Sequence, residues 1–202
     1  MGRQALNRAA ARALRELERH GLLLVTDARL PSLVALVAGE PVRGSWWGHP
    51  QAHQIYAAAI QLEDHPDVAA VKLVSGKVTF VHRRLWPALL AVATARERWQ
   101  MRGLSASARR LLDRVEAEGV LDSAAVRRTG REARELEGRL LVRAQSVHTE
   151  SGAHAMELES WNHWAARVRV RRARDRAAAT RALEDALRAM AGEHGAGRLP
   201  WR

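Results

Sequence analysis

The chain has 202 residues, 47% of them apolar, enough for one folded body or two small ones and too many for a disordered tail. It carries 33 basic against 22 acidic residues, a formal net charge of +11, which points to an acidic partner, nucleic acid ahead of an anionic membrane surface. There is no cysteine, hence no disulfide scaffold and no thiolate zinc site, and no apolar run reaches the roughly 20 residues of a membrane-spanning helix. Residues 1–20 lack a signal-peptide pattern, and the expected location is cytoplasmic, with the nucleoid.

In chain order, residues 3–20 read as an amphipathic helix with Leu6, Ala9, Ala10, Ala13, Leu14 and Leu17 on one side, stopped by Gly21. A short helix at 31–37 leads into a loop punctuated by glycine and proline. Within that loop, Trp46 and Trp47 stand between Gly44 and Gly48, where no periodicity buries both rings on one side. They are candidate base-stacking residues; the alternative is that they fill a gap between two lobes. Residues 50–63 form a helix through Ile55, Ala59, Ile60 and Leu62. His49 and His53 lie one turn apart, but no third ligand has the spacing for a metal, and none is expected.

At Val68 the period changes to two, giving strands 68–74 and 77–82 around a Ser75-Gly76 turn. Both lysines of the chain lie in this hairpin, and Arg83 and Arg84 follow it, so Lys77, Arg83 and Arg84 are candidates to grip phosphate. The alternative is an ordinary solvated hairpin tip. A helix over 83–98, with Leu85, Leu89, Leu90 and Val92, would anchor it. Helices followed by a hairpin make the N-terminal half a candidate degenerate winged-helix lobe.

The segment 103–161 repeats that order more clearly. Ser105 caps a helix carrying Ala108, Leu111, Leu112 and Val115 and ending at Gly119; Asp122 caps a short one running to Gly130; a third occupies 131–140 with Ala133, Leu136 and Leu140 on one face. An alternating strand through 141–148, turn residues 149–152 and a return through 153–158 complete the winged helix-turn-helix order, in which the third helix enters the major groove. Arg127, Arg128, Arg131, Arg134, Arg143 and His148 are the candidate DNA contacts in this unit. The runs Leu136-Glu137-Gly138-Arg139-Leu140-Leu141-Val142, His148-Thr149-Glu150-Ser151-Gly152-Ala153-His154 and Leu158-Glu159-Ser160-Trp161 resemble the winged-helix proteins related to the AlkZ-type DNA glycosylases, with a looser echo at Gly44-Ser45-Trp46-Trp47-Gly48-His49-Pro50. The resemblance implies a DNA-binding winged helix over roughly the C-terminal half. Glycosylases of that group carry a catalytic Gln-x-Gln or Gln-x-Asp pattern, and here the nearest tripeptides are Gln51-Ala52-His53, Gln61-Leu62-Glu63 and Gln100-Met101-Arg102.

From Trp161 a helix is expected to about residue 191, with Arg167, Arg169, Arg171, Arg172, Arg174 and Arg176 surrounding its middle and leaving no apolar face for about two turns; the tail 192–202 reads as frayed. No Gly-rich phosphate loop, nucleophile elbow, zinc motif or cysteine nucleophile is present, and Glu150 and Asp64 look like surface carboxylates. The expectation is an α+β, mostly helical chain. It divides into a helical lobe with a hairpin (1–102), a winged helix-turn-helix (103–160) and an arginine-rich C-terminal helix and tail (161–202). It is expected to bind double-stranded DNA, with no cofactor and no membrane partner and as a candidate homodimer, in a regulatory or repair-associated role. The alternatives are a glycosylase acting on alkylated or crosslinked bases, and a protein-interaction module.

Overall fold

In a computed structural model, the chain is described over residues 7–126, 129–148, 154–192 and 198–202. It is an α+β protein with two three-stranded antiparallel sheets among the described residues. Among the described residues, no helix is long and apolar enough to cross a membrane.

The first unit runs α1 (Arg8–His20), β1 (Leu22–Leu24), α2 (Leu33–Ala38), α3 (Ala52–Glu63), β2 (Val68–Val74) and β3 (Lys77–His82), with sheet order β1-β3-β2. Asn7 caps α1 by accepting from the Ala10 amide at 2.8 Å, and Ser32 caps α2 in the same way through Ala35. Strand alternation splits the sheet into two faces. Leu23 and Phe80 point into a core with Ala10, Ala13 and Leu17 of α1, Leu33 of α2 and Leu62 of α3; Leu22, Leu24 and Val81 point the other way. That second face is covered by α4 (Trp86–Ala93), whose residues are nearly all buried, and by two C-terminal helices.

A link through α5 (Arg98–Met101) leads to the second unit: α6 (Ala106–Glu118), β4 (Val120–Leu121), α7 (Ser123–Val126), α8 (Gly130–Gly138), β5 (Arg143–His148) and β6 (His154–Glu159), with sheet order β4-β6-β5. The two units therefore share element order and strand order, and they share a joint as well. Gly21 and Gly119 both end a first helix at positive φ, 85° and 81°. Each glycine carbonyl then accepts from the amide at the far end of the hairpin, His82 at 2.9 Å and Ser160 at 2.8 Å. A Cβ on Gly21 would lie 2.7 Å from Leu85 and one on Gly119 3.0 Å from His163, so the helix that follows each hairpin requires glycine there.

Those following helices are α4 and α9 (Trp161–Arg167), and they meet through tryptophan. Trp164 lies 5.0 Å from Trp86 and 5.5 Å from Trp161, both edge-on. The indole of Trp86 donates to the Val81 carbonyl at 3.0 Å and that of Trp161 to Leu140 at 2.8 Å. Leu140 takes a φ of 53°, a costly conformation for a bulky residue, and is held there by burial and by this bond.

Several expected boundaries move. The helix expected over 83–98 is a short turn at Arg83–Leu85 followed by α4, which stops where Thr94 turns its hydroxyl back onto the Leu90 carbonyl and Arg96 adopts a φ of 53°. The single helix expected over 161–191 is broken into α9 and α10 (Arg176–Ala191), with a turn at 168–169, where Arg169 takes a φ of 55°, and an irregular segment 170–175 between them. That path directs Val168, Val170 and Ala173 onto the core and leaves Arg169, Arg171, Arg172 and Arg174 exposed, a separation that no helix through this sequence provides. The end of the chain is packed instead of frayed over 198–202: Leu199 is buried, the Trp201 indole donates to Glu184 at 3.0 Å, and the Arg198 carbonyl accepts from the Ser75 amide at the hairpin tip at 2.7 Å.

Trp164 is 2% exposed at the centre of this joint. Its replacement by alanine is expected to cost about 3–5 kcal/mol in urea unfolding, as large-to-small changes at buried tryptophan do. A loss below about 1 kcal/mol would mean that the tryptophan cluster does not hold the units together.

Candidate nucleic-acid interface

Helix α8 is docked by its apolar and acidic residues. Ala133 and Leu136 are buried against the second unit's core; Glu135 accepts from the Ser105 amide at 3.1 Å and hydroxyl at 2.8 Å; Glu137 pairs with Lys72 of β2 at 2.6 Å. Arg139 donates to the Gln100 and Arg102 carbonyls at 3.1 and 2.7 Å, so it too is structural. Arg131 and Arg134 remain on the exposed side, with no carboxylate partner among the described residues; the Arg134 Nε donates to the Gly130 carbonyl one turn back at 2.9 Å. Arg127 and Arg128 lie outside the described residues. His148 pairs through its backbone with His154, and its side chain is outside the described part.

Arg143 is placed elsewhere. Its side chain is 11% exposed and pairs at 3.1 Å with Glu159, itself 2% exposed, while donating to Gln145 at 2.5 Å. Glu159 also accepts from Arg167 at 2.8 and 3.0 Å and bonds His163 at 2.9 Å. Burial alone would push the Glu159 carboxyl up, but the bonds from Arg167 and His163, with the charges of Arg167 and Arg143, hold it below its ordinary value. Burial pulls the Arg143 guanidinium down, opposed by Glu159. This network ties β5, β6 and α9 together and engages Arg143 internally.

The hairpin cations are likewise engaged. Lys77 bonds Asp27 at 2.8 Å. Burial raises the Asp27 carboxyl, yet the Lys77 bond and the Arg29 and Leu30 amides overcome it and bring the pKa to about 2. Arg83 pairs with Asp67 at 2.8 Å and lies 6.0 Å over the Trp86 ring. Arg84 donates at 2.5 and 3.0 Å to the Glu18 and Arg19 carbonyls at the end of α1, where a cation suits the helix dipole.

Trp46 and Trp47 form a short turn immediately before α3, stacked at 4.2 Å with 22° between their planes. Tyr56 lies 5.7 Å from Trp47. Trp47 is 64% exposed, so the pair does not fill a gap between lobes.

Two features were not found from the sequence. One is a cleft of about 310 Å3 between the units, lined by Glu63, Lys72, Glu137, Arg143, Gln145 and Met156 among others. Glu63 is open to solvent at its mouth, yet crowding by protein and then Asp64 raise its carboxyl above the ordinary value against the pull of Arg143. Neither the period nor a motif marked it, since α3 and β5 are far apart in sequence. The other is the non-helical segment 168–175. Arg171, Arg172 and Arg174, with Arg176 of α10, line an open groove of about 800 Å3 over α4 that has no carboxylate in its lining. The runs of arginine were legible; their arrangement as a one-sided, non-helical strap was not.

No family model, curated protein or solved structure matches this chain.

The Glu159 network sets a pH dependence. The folded pKa is below the ordinary carboxyl value of 4.5, so its contribution is fully present above 4.5 and lost as pH falls through the folded value. Glu159→Gln is expected to destabilise the protein by about 3–5 kcal/mol at pH 7, because two arginines lose a buried partner. In parallel unfolding series the gap between wild type and variant should narrow below pH 4.5; a gap independent of pH would assign the loss to packing.

Proposed function

We propose that both units are winged helices and that the protein binds double-stranded DNA through α8 and the β5–β6 hairpin in a regulatory or repair-associated role, rather than serving as a protein-interaction module. The observation that carries this reading is the division of labour on α8: two of its three acidic residues, Glu135 and Glu137, are bonded into the protein, while Arg131 and Arg134 are left outward. In a helix-turn-helix the third helix of the unit lies against the groove, and guanidinium groups on its outer face meet phosphates. The repeated order of helix, strand, two helices and hairpin agrees with this, as does the net charge of +11. The resemblance to winged-helix proteins related to the AlkZ-type glycosylases supports the same fold and DNA as partner. A cytoplasmic, nucleoid-associated site of action follows from the reading, with a monomer or a homodimer equally able to act. Lys77, Arg83, Arg84 and Arg143 contribute to holding the fold, and Arg171, Arg172 and Arg174 add unneutralised charge.

Replacing Arg131 and Arg134 with alanine together should flatten the slope of log affinity against log salt by about one to two units, since each lost phosphate contact removes roughly 0.9. An unchanged slope in a fluorescence-anisotropy titration would remove α8 from the interface.

Base excision is the second reading, and Glu63 favours it: a carboxyl of raised pKa in a cleft beside Gln145 has the character of a group that handles protons. The glutamine tripeptide of the glycosylases is nevertheless absent, and no base release is expected from duplexes carrying alkylated bases or a crosslink. Release that disappears in Glu63→Gln would establish the enzymatic reading instead.

A further inference from the structure

The turn carrying Trp46 and Trp47 is flanked by open space: beyond its immediate chain neighbours, no heavy atom lies within 4 Å of the position a Cβ would take on Gly44 or Gly48, the glycines on either side of the pair. The exposed indole of Trp47 is not a stray apolar residue. It is the only large hydrophobic side chain among the described residues that is exposed, at 64%, and it is held by a neighbour on one side. Trp46 backs it at 4.2 Å with nearly parallel planes, and Tyr56 of α3 braces it at 5.7 Å and 44°. The Ser45 hydroxyl accepts from the Trp47 amide at 3.4 Å and the Trp46 carbonyl from the His49 amide at 3.0 Å, so the backbone under the rings is fixed in a turn. A rigid, pre-stacked aromatic surface offered to solvent is arranged to take one more flat ring, because stacking needs only a π-face and loses little side-chain freedom when the rings are already positioned.

The place of this turn in the repeat selects the ring. Helix α3 occupies in the first unit the position that α8 occupies in the second, and the tryptophan turn lies just before α3 in that order. If α8 meets DNA, the corresponding end of α3 belongs to the same kind of surface, but it presents aromatic rings where the second unit presents arginine at Arg131 and Arg134. Exposed Arg43 lies just before the turn, and the whole chain is at +11, which suits a ligand that joins flat rings to phosphates. A paired base inside a duplex keeps both faces stacked on its neighbours. An unpaired base has a face free.

We infer that Trp47, backed by Trp46 and Tyr56, is a stacking site for an unpaired nucleobase, and that the preferred ligand is duplex DNA interrupted by unpaired bases. This rests on the DNA-binding reading above and names the substrate class within it. The second unit supplies sequence-independent grip on the duplex, and the first unit detects the interruption.

The test is a pair of labelled duplexes of equal length and charge density, one intact and one with a central run of unpaired thymines. Both are titrated at one salt concentration with wild type, Trp47→Ala, Trp47→Phe and the Arg131→Ala/Arg134→Ala double variant. Wild type is expected to prefer the interrupted duplex by about 5- to 100-fold, the range that stacking on an aromatic side chain provides. In Trp47→Ala the ratio should fall to about one, in Trp47→Phe it should keep part of its value, and in the double arginine variant both affinities should fall with the ratio preserved. Circular dichroism and thermal unfolding of each variant show whether it is folded, and Trp47, being exposed, should tolerate both changes. Equal binding of the two duplexes by wild type, or a ratio that survives in folded Trp47→Ala, overturns the stacking site while leaving the duplex reading in place. Binding to neither DNA overturns that reading together with this one, and insertion of Trp47 into anionic vesicles instead, seen as a blue shift lost in Trp47→Ala, assigns the turn to a membrane surface.

Discussion

The contact on which the rest of the molecule depends is the edge-on meeting of Trp164 with Trp86 and Trp161. Each unit ends with a helix seated against the glycine that stops its own first helix, and those two closing helices, α4 and α9, are joined by this cluster. Aromatic pairs of this kind contribute about 0.5–1.5 kcal/mol beyond the area they bury, and here the indole N–H groups are satisfied by backbone carbonyls at 3.0 and 2.8 Å. The apolar joint has an ionic companion in Glu159, the last residue of β6 and two before Trp161, which gathers Arg143, His163 and Arg167. These partners come from β5 and α9, so the carboxylate locks the closing helix of the second unit onto its own hairpin and holds Trp161 and Trp164 in place for the joint.

The same accounting explains where positive charge remains outward. A chain at +11 repels itself, and the fold answers by bonding arginines to carbonyls and carboxylates wherever elements meet: Arg84 at the end of α1, Arg139 at the link to α5, Arg143 in the Glu159 network of the second unit. The guanidinium groups without carboxylate partners among the described residues include those on the outer face of α8 and on the 168–175 strap. Net charge therefore says less than what is left of it after internal pairing.

Much of the fold was legible because local signals agreed. Gly21 and Gly119 stop helices that Leu17 and Val115 run up to, Ser75-Gly76 makes the turn of a period-two hairpin, and Ser105 caps where the apolar stripe of α6 begins. What failed did so where partners come from far away. Arg143 looked like an outward strand residue until Glu159 was placed beside it across the β5–β6 ladder. Lys77 lay near a hairpin tip, with Asp27 concealed fifty residues earlier in sequence. The segment 168–175 could not be told from a helix by composition, and only the core beneath Val168 and Val170 decides for a turn and an irregular path. Among candidate contacts, Trp46, Trp47, Arg131 and Arg134 are placed at the surface, and the cleft around Glu63 is formed by residues no local pattern could bring together.

The sandwiching of the first sheet fixes an order of assembly. The second unit's core draws only on residues from Met101 to Leu158 and can close as soon as that stretch has left the ribosome. The outer face of β1, β2 and β3 is sealed by α4 together with Leu183, Leu187, Met190 and Leu199, which are synthesised last. The N-terminal unit, first to be made, is thus the last to be finished, and for the time it takes to translate more than a hundred residues it carries Leu22, Leu24 and Val81 with part of their cover missing. A nascent chain of this design has an apolar face for which a chaperone, or a neighbouring copy on the same message, competes with α10.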